Sequence, residues 1–220
     1  MIDDAHVRAA ASPTLAGLLE RIAETDAVGI DMPIGLPAAA EKGGRRCEQL
    51  ARKSLVGRAS CVFNSPSRVA LAHTDFLAAS AANRDSGPDR LGLSKQTFAL
   101  FPKLREVDAL LSADTQDRLF EVHPELSFCL LSKSLCGDGR LAPKKTFGGA
   151  LERLDLLAQV GLTGIRALLA RCREFGAAED DIIDAAVAAW TAGRKVTGQA
   201  RRFPEQPDQD PRGLWMEIWA

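Results

Sequence analysis

Apolar residues recur along this chain at two spacings, and the switches between them mark the elements. Leu15, Leu18, Leu19 and Ile22 fall at helical spacing and predict a helix over residues 14–25, with Ser12 as its N-cap and Pro13 in the first turn. Residues 28–32 form a short β-prone run. Cys47, Leu50, Ala51 and Leu55 then mark a helix whose other face carries Arg45, Arg46, Arg52 and Lys53. The stretch SCVFNSPSR mixes a β-prone triplet with turn residues, and Ser67 is placed to start a helix over residues 69–82. Residues 83–92, polar and rich in Gly, Pro and Asp, read as an exposed loop. A short helix is expected over 94–100 and a longer one over 102–112, where Leu104, Val107, Leu110 and Leu111 share a face. RLFEVH, residues 118–123, alternates and stops at Pro124, the mark of a second strand. Helices follow over 125–132, 147–160, 165–175 and 179–197, and the alternating tail GLWMEIWA closes the chain as a strand. Residues 2–9 have room for one more short strand.

Helices punctuated by strands place the chain in the α/β class. With 46% hydrophobic content over 220 residues it can bury a proper core, so one domain spanning residues 1–220 is expected. Lys and Arg number 28 against 29 Asp and Glu. Such a balance excludes the global field that drives nonspecific binding to nucleic acid or membrane surfaces, so any polyanion site is local. Cys47, Cys61, Cys129, Cys136 and Cys172 form no C-x-x-C pair, and their odd number fits reduced thiols in a cytoplasmic protein. The start MIDDAHVRAA lacks the basic and apolar regions of an export signal, and no run reaches the ~20 apolar residues of a membrane span. Neither export nor membrane insertion is expected.

The chemistry gathers on carboxylates. In AVGIDMPIGLP, residues 27–37, a short strand delivers Asp31, and Pro33, Gly35 and Pro37 then stop both strand and helix. Asp31 thus stands at a strand's C-terminal end, where α/β sheets collect ligands, although capping the turn is an equally good use for it. Glu121 lies in the second strand, and EDDIIDAAVAAW opens the last helix with Asp180, Asp181 and Asp184. Spacings of three and four put at least two of these acids on one helical face. The helix dipole accounts for acids in the first turn. Asp184 is different: Ile182, Ile183, Ala185, Ala186, Val187, Ala188 and Trp190 surround it, so its carboxylate needs a cation, a donor or a proton. The alanines also let this helix press close to a sheet. Carboxylates from two strand ends and one helix suit Mg²⁺ or Mn²⁺, which often hold a phosphate as well. Zinc is not supported, because His6, His73 and His123 share no ligand spacing with one another or with the cysteines. His123 follows Glu121 by two, and a structural role fits it better than a metal-adjacent one. No Walker loop, G-x-S-x-G elbow or G-x-G-x-x-G is present. PKLREVD and Lys144-Lys145 read first as solvated charge; with the arginines from Arg45 to Arg68 they are also the local source of phosphate contacts.

GIDMPIGLP, SCVFNSPSR, LSKQTFALFPKLREVD, FEVHPELSF, KKTFGG and DDIIDAAVAAWTAGR, in this order and over nearly the whole chain, resemble domain-of-unknown-function family 429. Its members are described as predicted nucleases of ribonuclease H-like fold. The resemblance implies a mixed sheet of five strands flanked by helices, with metal held by acids of the first strand, the fourth strand and the last helix. Carried onto this sequence, Asp31 is the fourth-strand acid, Glu121 a fifth-strand acid, and Asp184 with Asp181 the helical contribution; residues 38–115 become a helical insertion. The chain departs from the pattern at its start. MIDD falls in the turn before the third strand, so the first one or two strands and the first-strand acid are missing: either the true N-terminus lies upstream or the site is incomplete. The expected function is a metal-dependent phosphodiester hydrolase using Mg²⁺ or Mn²⁺, acting on nucleic acid or another phosphoester. The alternative is a noncatalytic binding or structural protein of the same fold, and phosphoryl transfer stands third, without a glycine loop to support it. A missing strand would also leave an edge of the 28–32 strand to be filled by residues 2–9, by the tail, or by a second copy of the chain in a homo-oligomer.

Overall fold

The computed structural model describes residues 7–24, 26–135 and 137–220, so most of the strand expected over residues 2–9 lies outside the described residues, as do His6 and Cys136. In chain order the elements are α1 (Leu15–Leu19), β1 (Val28–Ile30), α2 (Arg46–Ser54), a 3₁₀ turn (Ala59–Cys61), α3 (Arg68–Leu71), α4 (Phe76–Asp85), α5 (Lys95–Ala99) and α6 (Phe101–Leu110). Then come β2 (Leu119–Glu121), α7 (Pro124–Leu135), α8 (Phe147–Gln159), α9 (Ile165–Leu169), α10 (Cys172–Phe175), α11 (Glu179–Val196), β3 (Arg202–Gln209) and β4 (Trp215–Trp219). The protein is a mixed α/β fold. No described helix is long and apolar enough to cross a membrane.

Local chemistry moves several boundaries. Thr14, not Ser12, caps α1 by accepting from the Gly17 amide, and the helix stops after five residues. The helix expected over 69–82 is split in two, because Asp75 accepts from the Ala78 amide and so starts a helix of its own. Asn83 belongs to α4 and is buried; its amide binds the Ser67 N–H and the Leu91 carbonyl, so the following loop is tied rather than loose. The β-prone triplet at residues 61–63 forms no strand; Cys61 ends a 3₁₀ turn and Val62 caps it.

β1 and β2 pair in parallel, with Val28 opposite Leu119 and Ile30 opposite Glu121. β3 and β4 pair antiparallel, and one parallel bridge from Val122 to Trp219 joins the two ribbons. The tail therefore lies beyond β2, on the far side from the β1 edge it was one candidate to fill. Among the described residues no strand pairs with that edge. β3 carries Pro204 and Pro207, which an edge strand tolerates because its outer N–H groups need no partner.

Helices cover both faces of the β1–β2 pair. On one, Phe120 and Val122 meet Ala188 and Ala192 of α11; on the other, Ile30 and Leu119 meet Val107 of α6 and Leu111 at its end, with Leu15 and Leu19 of α1. α7, α8 and α9 wrap the remaining apolar face of α11 around Leu157, Ile165 and Val187. The small residues of α11 permit the close approach expected of them. A Cβ on Gly29 would stand 2.9 Å from the Ala188 carbonyl oxygen, so β1 needs glycine there.

One buried ion network joins the loops around the strand ends. Arg45, 4% exposed, donates from Nη1 and Nη2 to the two oxygens of Glu121 at 2.9 and 2.8 Å, and from Nε to Glu48 at 2.7 Å. Its Nη1 also reaches the carbonyls of Ile34 and Gly35, while Glu48 accepts from the Ser65 and Arg45 amides. The loop after β1, the start of α2, the Ser65 segment and the end of β2 are thus fastened to one guanidinium. Arg45→Met removes the cation, leaving buried Glu121 unpaired and Glu48 with only Arg52 at 4.0 Å, a loss of about 3–5 kcal/mol. Thermal denaturation should show a Tm lower by at least about 6 °C, at about 2–4 °C per kcal/mol for a chain of this size; a shift under 2 °C would show that the network is dispensable.

Candidate functional site

The periods of strand and helix bring Asp31 and Asp184 together. Gly29 and Asp31, two residues apart, share the face of β1 that α11 covers, and Asp184 lies one turn before Ala188 on the stripe facing the sheet. From the Gly29–Ala188 contact, about 6.6 Å along the strand and about 6 Å along the helix lead to the two carboxylates. They line a cavity of about 320 Å³ together with Glu121, His123, Arg58 and Lys144.

Asp31 is reached by solvent, yet it sits in a concavity dense with protein atoms. Burial first, then repulsion from Asp184, pushes its pKa up to about 7; Lys144 opposes this, and Glu121 and Asp181 add to it. Asp184 is also raised, again chiefly by burial, with Lys144 pulling the other way. Its Oδ2 accepts from Lys144 Nζ at 2.6 Å, whereas its Oδ1 is buried without any hydrogen-bond partner. Burial lowers the pKa of Lys144, but the hydrogen bond and charge of Asp184, then Asp180 at 3.7 Å and Asp31, raise it on balance. This lysine stays charged.

Lys144 is placed by a second buried network. Arg153, 1% exposed, holds both oxygens of Glu125 at 2.9 Å and donates to the carbonyls of Ala142 and Gly149. Arg58 donates to the same Ala142 carbonyl at 2.9 Å, and its Nε lies 3.2 Å from Glu125. Thr146 caps α8, and a Cβ on Gly149 would meet the Pro143 oxygen at 2.1 Å. The KKTFGG segment can therefore lie flat on the start of α8 only with glycine at 149.

The other expected site residues fall in different roles. Glu121 lines the cleft from the opposite face of the strand pair, since it is in register with Ile30, and Arg45 and the Ile34 amide take its oxygens. Burial pushes its pKa up, with Arg45 as the main opposing charge. Asp181 is exposed and caps α11 through the Ala178 amide at 3.0 Å, which leaves it a longer-range contributor of charge. His123 accepts from the Leu126 amide at Nδ1, and burial lowers its pKa, so the ring is neutral. Among the described residues no group of three or more His, Cys, Asp and Glu side chains is arranged to hold a metal ion. Arg45, expected among the phosphate contacts, is instead buried and taken by Glu48 and Glu121, and Glu125 and Arg153 were not among the expected site residues. For Arg153 a signal existed: it shares a helical stripe with Gly149, Leu156 and Leu157, all buried.

Fold and cleft together define a mixed α/β protein that gathers acids at the C-terminal ends of two parallel strands. The family model described as Protein of unknown function (DUF429) matches residues 1–209, and the chain belongs to that family. No curated protein and no solved structure matched it.

The raised pKa of Asp31 makes stability pH-dependent in a definite direction. Between its ordinary value of 3.8 and about 7 the folded chain binds a proton more tightly than the unfolded chain, so stability falls as pH rises through that window. Without added divalent metal, Asp31→Asn should melt about 2 °C above the parent at pH 8, since solvent screening of an exposed carboxylate holds the effect to about 1 kcal/mol, and coincide with it near pH 4. Equal Tm values at pH 8, measured by scanning fluorimetry, would contradict the assignment.

Proposed function

We propose that this cleft is the active site of a metal-dependent phosphodiester hydrolase of ribonuclease H-like organisation, with Mg²⁺ or Mn²⁺ held by Asp31 and Asp184. The observation that carries this reading is the unpartnered Asp184 Oδ1, buried beside a second carboxylate that repels it. A buried acceptor left without a donor is costly unless something fills its place. The two oxygen donors fit a hard cation, and Mg²⁺ commonly takes only one or two carboxylates besides waters and substrate phosphate. Glu121 stands outside the ligand set because Arg45 occupies it, and Asp181 contributes charge alone.

When bound, the cation supplies an activated water and neutralises charge on the phosphate. The chain's residues do the rest. Lys144 balances Asp184 in the free protein, and its partly exposed ammonium and the Arg58 guanidinium face arriving phosphate oxygens. His123, neutral and held through Leu126, shapes the wall and delivers no proton at neutral pH.

The competing noncatalytic reading has one observation in its favour: Lys144 already satisfies half of Asp184. Calorimetric titration with Mn²⁺ separates the two. Asp184→Asn and Asp31→Asn should each weaken Mn²⁺ binding at least about ten-fold, a loss of about 1.4 kcal/mol, and EDTA should stop phosphodiester cleavage that added Mg²⁺ restores. Mn²⁺ binding unchanged in both variants would remove the metal site. Binding without cleavage of DNA, RNA or a small phosphodiester would leave the noncatalytic protein.

A further inference from the structure

A second cavity, of about 750 Å³, adjoins the acidic cleft, and Arg45 and Phe63 line both. Its wall is mixed, with Asn64, Gln49, Ser94 and Thr97 beside Pro37 and Leu93. Phe63 is 42% exposed, and no other exposed large apolar side chain among the described residues lines either cavity. The ring is not on a loose loop. Val62 and Ser65 on either side are buried, Arg52 binds the Val62 carbonyl at 2.9 Å and the Asn64 side chain, and Ser65 is tied to Glu48. A backbone tied on both sides thus presents a partly exposed aromatic ring where the acidic cleft and a larger cavity of mixed lining meet.

We propose that Phe63 is the seat of an unpaired nucleobase, and that the second cavity receives the neighbouring nucleotide of a single strand. This rests on the phosphodiester reading of the acidic cleft. Charge argues the same way. The chain carries a net charge of −1 and the cleft itself is acidic, so few phosphates can be held by cations and affinity has to come from another contact. Stacking on an aromatic ring is that contact, it tolerates any base, and a duplex cannot offer it without unpairing. Arg46, Arg58 and Lys144 are the cations at hand in the two cavities.

The test is binding in EDTA, where cleavage is silent. Fluorescence anisotropy with labelled strands of about 12 nucleotides, one DNA and one RNA, should show either strand bound more tightly than its duplex. Phe63→Ala should weaken that binding about 5- to 100-fold, and Phe63→Trp should restore it. Three cations predict a shallow salt dependence, with log K falling against log salt at a slope of about −2. The Tm of Phe63→Ala should match the parent, as suits a half-exposed ring. Equal affinity of the parent and Phe63→Ala, preference for duplex, or a slope steeper than about −4 would each overturn the base seat. None of these results touches Mn²⁺ binding by Asp31 and Asp184, so the two readings fail separately.

Discussion

The buried guanidinium of Arg45 is the constraint on which the cleft depends. Taking such a group out of water costs several kcal/mol even after the protein relaxes, so it is tolerated only where partners meet its N–H groups. Glu121, Glu48 and the carbonyls of Ile34 and Gly35 do so. The trio of charges carries one surplus negative, and the amides of Ile34, Arg45 and Ser65 spread it over backbone dipoles. A network satisfied in this way fixes geometry more than it adds stability. What it fixes is the exit of the chain from β1, and with it the position of Asp31.

The parity of the strands decides which acids face the helix. Residues alternate between the two sides of a strand, so Gly29 and Asp31 face α11 whereas Ile30 and its partner Glu121 face away. That Asp31 and Asp184 share a cleft follows the expectation set by a strand-end acid and an acid inside an apolar helix face, whereas the Gly29–Ala188 contact through which they meet is visible only in the fold. The role of Glu121 was not legible in the sequence. It depends on the register between β1 and β2 and on an arginine 76 residues away in the chain, neither of which a local pattern encodes.

Other features were hidden for related reasons. β3 carries two prolines, which count against a strand until one knows that it pairs only with β4. Arg153 sits in a stretch that reads as an ordinary amphipathic helix, and its burial makes sense only once Glu125 arrives from α7. Helices α2, α5, α6, α7, α8 and α11 were readable because their apolar spacing survives packing. Thr14 and Asp75 show the limit of that reading, since a single side-chain oxygen on a backbone amide sets where a helix begins.

Hydrogen-bonding capacity divides the acids of the cleft into two sets. Of the acids lining the cleft, Glu48, Glu121 and Glu125 are each locked to a buried arginine. Asp31 and Asp184 are not. Buried side-chain atoms without a partner among the described residues include Ser67 Oγ and the Nε atoms of Arg68 and Arg153, but those on the arginines belong to guanidinium groups already paired elsewhere. Asp184 Oδ1 is the carboxylate oxygen in that set, and it lies in the cleft where Asp31 resists ionisation. The fold thus satisfies three neighbouring acids with buried arginines and leaves Asp31 and one oxygen of Asp184 without such a partner, and on that asymmetry the proposed metal site rests.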